Sequence, residues 1–337
     1  MKTLKDFDVK NKRVLVRCDF NVPLDEKGNI LSDFRIKQTI PTIEYLIKKG
    51  AKVILMSHLG RPGGKAVENL RMNIVQNKLM EHLDLSIFKA PDCIGPEIEK
   101  WSKEMQPGEI LLLENLRFHK EEEENNENFA KELAKLGDTY INDAFGACHR
   151  AHASIVGAPK FLPSGAGLLL EKEIKTLTKL SNNPERPLLA IIGGGKVETK
   201  AKLIKKLSEF ADCILVNSLI GKVSEKVIAP VDGVGQGKDI GIKTIKIYQE
   251  KIISAKTIFW NGPLGLIEEE EFSQGTAEIA KAIAASQAFS VVGGGETVEF
   301  IAKLGLTEKF GHVSTGGGAM LAFLSGEKLP GLEALEN

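Results

Sequence analysis

The chain has 337 residues, enough for two domains at about 150 residues each. Hydrophobic residues are 42% and charged residues 27%, a balance that can fill two cores. Lysine plus arginine and aspartate plus glutamate are 45 each, and this zero net charge excludes a chain drawn to nucleic acid or anionic membrane by bulk charge. The zero hides an asymmetry. Only one of the eight arginines, Arg186, lies beyond residue 150, whereas 21 of the 33 glycines lie beyond residue 170. Cys18, Cys93, Cys148 and Cys213 form no CxxC pair and read as reduced thiols. Met1 opens onto a charged segment with no secretory core, and no apolar run is long enough for a membrane span, so a cytoplasmic location is expected.

Short apolar runs alternate with amphipathic stretches along the chain. Strands are expected at Arg13–Cys18, Lys52–Ser57, Glu109–Glu114 and Thr139–Asp143. Four more are expected at Leu188–Ile192, Cys213–Asn217, Thr257–Trp260 and Ser290–Val292. Their Val, Ile and Leu content without alternation is that of parallel strands covered on both faces. Between them, Val197, Ala201, Ile204, Leu207 and Phe210 or Ala211 form a helical stripe with lysines opposite, and Leu79, His82 and Leu83 belong to a similar helix. The order implies an α/β fold with doubly wound, mostly parallel sheets. Two Pro/Gly-rich breaks, Pro159–Gly167 and Ser181–Pro187, flank a helix from about Leu168 to Leu180 that reads as a connector between lobes. The acidic run Glu121–Asn128 reads as a solvated loop and helix entry.

Glycine triplets follow three strand candidates: Gly193–Gly195, Gly293–Gly295 and Gly316–Gly318. Such turns bring backbone N–H groups close to a phosphate at a helix N-terminus, and Lys196 and Lys200 follow the first. A nucleotide-phosphate site is the reading, although neither a P-loop nor a dinucleotide fingerprint is present. The first half carries basic residues after four successive strands: Arg17, His58 with Arg61, Arg117, and His149 with Arg150. On one edge of a parallel sheet these suit a small polyanion. His149 and His152 lack a carboxylate or cysteine at ligand spacing, which argues against a metal pair.

Eight segments in order resemble the phosphoglycerate kinase family: RCDFNVP (17–23), FRI (34–36), MSHLGRP (56–62), LLENLRFH (112–119), INDAFG (141–146), HRAHAS (149–154), WNGPLG (260–265) and STGGGA (314–319). The resemblance implies two doubly wound lobes joined by a hinge helix. The expected boundaries are a phosphoglycerate-binding domain at 1–165, the hinge at 166–185, a nucleotide-binding domain at 186–325, and a tail at 326–337 returning to the first domain. It implies reversible phosphoryl transfer between ATP and the carboxylate of 3-phosphoglycerate, with Mg²⁺, in a monomer that binds neither nucleic acid nor membrane and closes about its hinge.

Carried over position by position, Asp19, Phe20, Asn21, Arg35, His58, Leu59, Gly60, Arg61, Arg117 and Arg150 would hold phosphoglycerate. Gly194, Lys196, Lys200, Asn261, Gly265, Glu268, Gly294, Gly295, Glu296, Thr297 and Gly317 would hold the nucleotide. Glu296 would face the metal, and Arg35, Lys196 and Lys200 would act at the transferring phosphoryl group. Three departures from the family pattern stand out. Glu296 occupies an aspartate position, Asn217–Gly221 replaces a glycine-rich turn, and Gly221–Lys256 is shortened, with Gly233–Gly241 as a compact replacement loop. Two functional readings follow, a working kinase with a trimmed nucleotide pocket and a non-catalytic relative that binds a small phosphorylated anion.

Overall fold

A computed structural model describes residues 1–195, 197–221 and 224–336, without the side chains of Val197, Glu198 and Thr199. The chain divides into two compact units, Met1–Ile174 with Lys328–Asn337, and Lys175–Glu327.

The first unit is built on a six-stranded parallel sheet in the order β3-β4-β2-β1-β5-β6. Its strands are β1 (Arg13–Arg17), β2 (Lys52–Met56), β3 (Phe88–Lys89), β4 (Ile110–Leu112), β5 (Thr139–Asn142) and β6 (Ser164–Ala166). The helices are α1 (Phe34–Lys48), α2 (Asn73–Leu83), α3 (Pro96–Glu104), α4 (Lys120–Glu123) and α5 (Glu127–Ala134). Inward residues of α1 recur at helical spacing (Ile36, Thr39, Ile43, Leu46), and its apolar ones pack with Val75 and Leu79 of α2 against Val14, Val53 and Leu55. Each such side chain contributes about 1.5–3 kcal/mol by leaving water. The short helix α12 (Pro330–Glu333) belongs to this unit, with Gly331 N–H donating to Cys148 O at 2.9 Å.

The second unit repeats the plan with the sheet order β14-β13-β12-β7-β8-β9. Its parallel strands are β7 (Leu188–Ile192), β8 (Cys213–Val216), β9 (Val227–Ile228), β12 (Thr257–Asn261), β13 (Phe289–Gly293) and β14 (His312–Val313). Helices α7 (Val197–Phe210), α8 (Ile242–Ser254), α9 (Gln274–Ala285), α10 (Gly295–Lys303) and α11 (Gly317–Leu324) accompany them. Strands β10 (Gly233–Val234) and β11 (Asp239–Ile240) form a separate antiparallel hairpin. All eight strands read from the sequence are present, with ends shifted by up to two residues. Among the described residues, no helix is long and apolar enough to cross a membrane.

The stripe expected on α7 is met at Ile204, Leu207 and Ala211 but not at Ala201, and the side chain of Val197 lies outside the described residues. Ala201 is exposed, whereas Lys200, Leu203, Ile204 and Leu207 are buried, so one lysine shares the inward face with the leucines. The acidic run also departs from expectation. Glu122 is fully buried and accepts hydrogen bonds from Ser154 N at 2.8 Å and Ser154 Oγ at 2.5 Å.

The connecting helix α6 (Leu168–Asn182) starts where it does because side chains take its first N–H groups. Leu168 N donates to Thr42 Oγ1 at 3.1 Å, while Leu169 N and Leu170 N donate to Asp143 Oδ1 at 2.9 and 3.2 Å. A Cβ on Gly167 would fall 2.1 Å from that oxygen, so the preceding position requires glycine. Burial pushes the Asp143 carboxyl up to about 6. Between about pH 4 and 6 the folded chain therefore binds more proton here than the unfolded chain does, and stability falls as pH rises through that window. Urea unfolding of Asp143→Asn, which keeps the acceptor oxygen and removes the charge, should show it. From pH 4.5 to 7.5 the wild type should lose stability relative to the variant by about 2 kcal/mol. A constant difference would mean that the carboxyl titrates alike in both states.

Candidate functional site

In the first unit, β4, β2, β1 and β5 are neighbours and parallel, so the loops at their carboxyl ends share one edge. After β1, Phe20 N donates to Ser57 Oγ, and Ser57 Oγ to Cys18 O, each at 2.8 Å, which joins the first loop to the second. Asn21 Oδ1 accepts Gly60 N–H at 2.8 Å. Asn115 clamps Leu59 from both sides, with Leu59 N–H donating to Oδ1 at 3.2 Å and Nδ2 donating to Leu59 O at 2.7 Å. Gly60 adopts φ +65, which this tight passage requires.

The guanidinium groups gather on this frame. Arg35, reaching over from α1, donates to Asn21 O and lies 3.8 Å from the Asp19 carboxylate. Arg117 donates to Gly60 O at 2.8 Å and pairs with Glu123 at 3.2 Å, but its Nη2 is buried with no partner among the described residues. Arg150 Nε donates to His149 Nε2 at 3.2 Å, and Arg61 is exposed. Arg17 differs from the strand-end reading. It is 1% exposed and bound to Ser154 Oγ at 2.7 Å, His58 Nδ1 at 3.2 Å and Cys18 O. With Glu122 3.9 Å away, it braces the loops from beneath.

The imidazoles register the resulting potential. Burial, then Arg17, Arg117, Arg150 and Arg35, hold His58 well below its ordinary pKa. Burial, then Arg117, Arg17 and Arg150, push His152 down to about 4. Both rings are neutral at pH 7, so the basin's positive charge resides on arginine. A buried, unpaired guanidinium nitrogen in such a place is a donor without an acceptor, and a phosphate oxygen would meet it.

The second unit gathers its glycine turns at the carboxyl edge of β13, β12 and β7. Gly193 N donates to Asn261 O at 2.9 Å and Gly194 N to Pro263 O at 2.8 Å, so the turns after β7 and β12 are stitched together. A Cβ on Gly193 would fall 2.0 Å from Pro263 O, and one on Gly317 2.8 Å from Gly294 Cα. Gly195 and Gly295 are unlike these, since a Cβ there would meet nothing within 4 Å. Internal packing therefore does not require glycine there, and the open space leaves room for a ligand to approach the backbone. Lys200 Nζ donates to Asn261 Oδ1, and Asn261 Nδ2 to Gly293 O at 3.0 Å. Burial lowers Lys200 to about 8 against the opposing pull of Glu296. Thr297 is buried and its Oγ1 accepts Gly262 N–H at 3.1 Å, whereas Gly265 N donates to Thr276 Oγ1 at 3.1 Å.

A cavity of about 380 Å³ opens beside these turns, with Gly194, Gly265, Glu268 and Glu296 in its lining. Gln236, Gly237 and Lys238 of the hairpin form part of its wall. Lys196 lies outside the described residues. Sequence reasoning passed over Ser57, Asn115, Thr276 and Asn217. The first three hold loops in place, and Asn115 sits inside the recognised ENLRFH motif, where a buried amide after a strand was the available signal. Asn217 lines the cavity, donates to Gly194 O at 3.3 Å and leaves its buried Oδ1 unpartnered.

The sequence model of phosphoglycerate kinase matches residues 4–225 and 221–327. The phosphoglycerate kinase of Moorella thermoacetica is 44% identical over 387 aligned positions, covering 99% of this chain and 98% of the relative. That of Borrelia garinii subsp. bavariensis is 44% identical over 393 positions, covering 100% and 99%. Both alignments are longer than the chain's 337 residues, so at least 50 positions of each relative face a gap. Among solved structures, phosphoglycerate kinase from Pyrococcus horikoshii OT3 superposes with a TM-score of 0.89 at 34% identity, covering 100% of this chain and 98% of that one. The Coxiella burnetii enzyme gives 0.85 at 34% identity, covering 99% and 98%. With two lobes of matching fold and relatives aligned from end to end, the chain belongs to the phosphoglycerate kinase family, enzymes that transfer phosphoryl between ATP and the carboxylate of 3-phosphoglycerate.

Proposed function

We propose that the two units divide the reaction, the first taking 3-phosphoglycerate and the second ATP or ADP. The observation that carries this is the unpartnered Arg117 Nη2 in a basin where burial, with the clustered arginines, keeps His58 and His152 neutral. In this reading the 3-phosphate meets Arg117, Arg61 and Arg150, with His58 and the Leu59–Gly60 backbone shaping the floor. Asp19, Phe20 and Asn21 bound the glycerate end, and Arg35 stands over the carboxylate. In the second unit the turns at Gly194, Gly294, Gly295 and Gly317 approach the phosphates. Asn261 and Thr297 fix those turns, while Gly265 and Glu268 line the side taken by the base and ribose. Lys196 joins the phosphate contacts on the strength of the motif.

The acceptor carboxylate is already ionised at neutral pH, so in-line attack on the γ-phosphorus needs no strong general base. What the chain supplies is position and charge. Arg35 on one reactant and Lys200 on the other neutralise the equatorial oxygens of the transferring group. Asn261 holds the Lys200 ammonium in one direction. Glu296, an exposed carboxylate on the first turn of α10, would offer an oxygen to a phosphate-bound Mg²⁺. When bound there, Mg²⁺ would screen charge between the nucleotide's phosphates. Both residue sets lie on one chain, and the reading accordingly calls for a monomer working in the cytoplasm, where ATP is abundant and thiols stay reduced.

A coupled assay with ATP, Mg²⁺ and 3-phosphoglycerate tests the proposal, and phosphoglycerate binding without turnover would sink it. The Glu296 assignment has its own test. Glu296→Gln should raise the Mg²⁺ concentration for half-maximal rate about tenfold, and Glu296→Asp should shift it by about threefold. Superimposable magnesium titrations would remove Glu296 from the metal.

A further inference from the structure

We propose that Gln236, at the tip of the β10–β11 hairpin, reads the hydrogen-bonding edge of the purine and sets a preference for adenine over guanine. The inference rests on the second unit being the nucleotide site. The two matches of the family model meet at residues 221–225, just before the hairpin, and at least 50 positions of the relatives face gaps. The hairpin itself lies inside the second match, residues 221–327, close to where the two matches overlap.

The hairpin is fixed in place. Gln236 itself holds φ 60 and ψ 34, the left-handed region, between two glycines. A Cβ on Gly235 would fall 2.3 Å from the Phe272 ring, so the turn is pressed against that side chain. Lys238 O accepts Leu266 N–H at 2.9 Å, and buried Asp239 accepts Gly275 N–H at 2.7 Å. The tip is therefore tied to the Leu266 segment, which lines the same cavity.

The lining then divides by chemistry. Leu219 and Leu266, 58% and 38% exposed, offer apolar surface that a flat ring would cover. Lys238 is committed elsewhere, with Nζ 3.2 Å from Glu269 and 4.5 Å above the Phe272 ring. Gln236 is exposed, lines the cavity and has no hydrogen bond from its amide. In the same lining, the buried Asn217 Oδ1 adds an acceptor that no described residue satisfies. A carboxamide offers one donor beside one acceptor. That pattern matches the N7 acceptor and 6-amino donor of adenine bidentately, whereas guanine presents two acceptors, N7 and O6, on the same edge.

The test is the ratio of kcat/KM for ATP to that for GTP, in wild type, Gln236→Leu and Gln236→Gly. Glycine adopts the left-handed conformation freely, so it keeps the test valid if leucine disturbs the turn. Both variants should lower the ATP-to-GTP ratio about five- to tenfold, the size of a lost hydrogen bond. A ratio that stays level or rises in the glycine variant, with wild type turning over normally, overturns the role of Gln236 and leaves the kinase reading standing. A wild-type chain that turns over neither nucleotide overturns both.

Discussion

Arg35→Ala is expected to lower kcat by about 10²–10³ while the chain stays folded. The magnitude is that of removing one positioned donor from developing charge on a transferring group. The stability expectation follows from its surroundings. The Arg35 side chain is 30% exposed, and its carboxylate partner Asp19 is 3.8 Å away, a loose pair of the kind worth less than about 1 kcal/mol. Asp19 keeps a partner without it, since its Oδ1 also accepts the Asn21 N–H at 3.3 Å. The coupled assay should therefore report a large loss in kcat and a smaller rise in the KM for 3-phosphoglycerate, with a thermal midpoint close to wild type. Activity within threefold of wild type would show that Arg35 does not meet the transferring group. Arg17 is no equivalent probe, since it is bound beneath the loops to Ser154 and His58 and faces the buried Glu122.

The contrast between these two arginines marks where sequence reading ends. Strand-end position says that a basic residue reaches the sheet's edge, and it says nothing about which side of the loop layer the side chain takes. Arg17 goes under because Ser154 and Glu122, distant in sequence, receive it there, and the same contact buries a carboxylate from a run that reads as solvated. The eight main strands were legible because burial on both faces leaves an unbroken apolar signature. The edge strands β3, β9 and β14 have two residues each, too few for any pattern to show. Glycine turns were legible as turns. Their division into those forced by neighbouring backbone, such as Gly193, and those facing open space, such as Gly295, exists only in three dimensions. The hairpin at Gly233–Ile240 was visible as a compact loop, but not its attachment through Asp239 to Gly275.

Lys200 links pH, stability and rate in a way that separates a catalytic lysine from a structural one. Its side chain lies on the inward face of α7, 7% exposed, and burial brings its pKa down to about 8. Two consequences run in opposite directions. As pH rises through about 8 the ammonium loses its charge, so kcat/KM for ATP should fall along an alkaline limb near that value. Over the window from about 8 to 10.5 the unfolded chain binds more proton at this position than the folded chain. Stability should therefore rise with pH while activity falls. Below pH 8 the folded state carries the full cost of burying the charge, on the order of 3 kcal/mol. Lys200→Met should accordingly melt higher than wild type at pH 7, turn over about 10²–10³ more slowly, and lose the alkaline limb. Asn261 would be left with an unpaired Oδ1, which subtracts about 1–3 kcal/mol from the gain without changing the pH dependence. A variant that keeps the alkaline limb would assign that titration to another group, and one that keeps wild-type kcat would remove Lys200 from the transferring phosphoryl group. If both outcomes hold as expected, the destabilised ammonium is the form that works, held charged at neutral pH by its place beside Glu296 and Asn261.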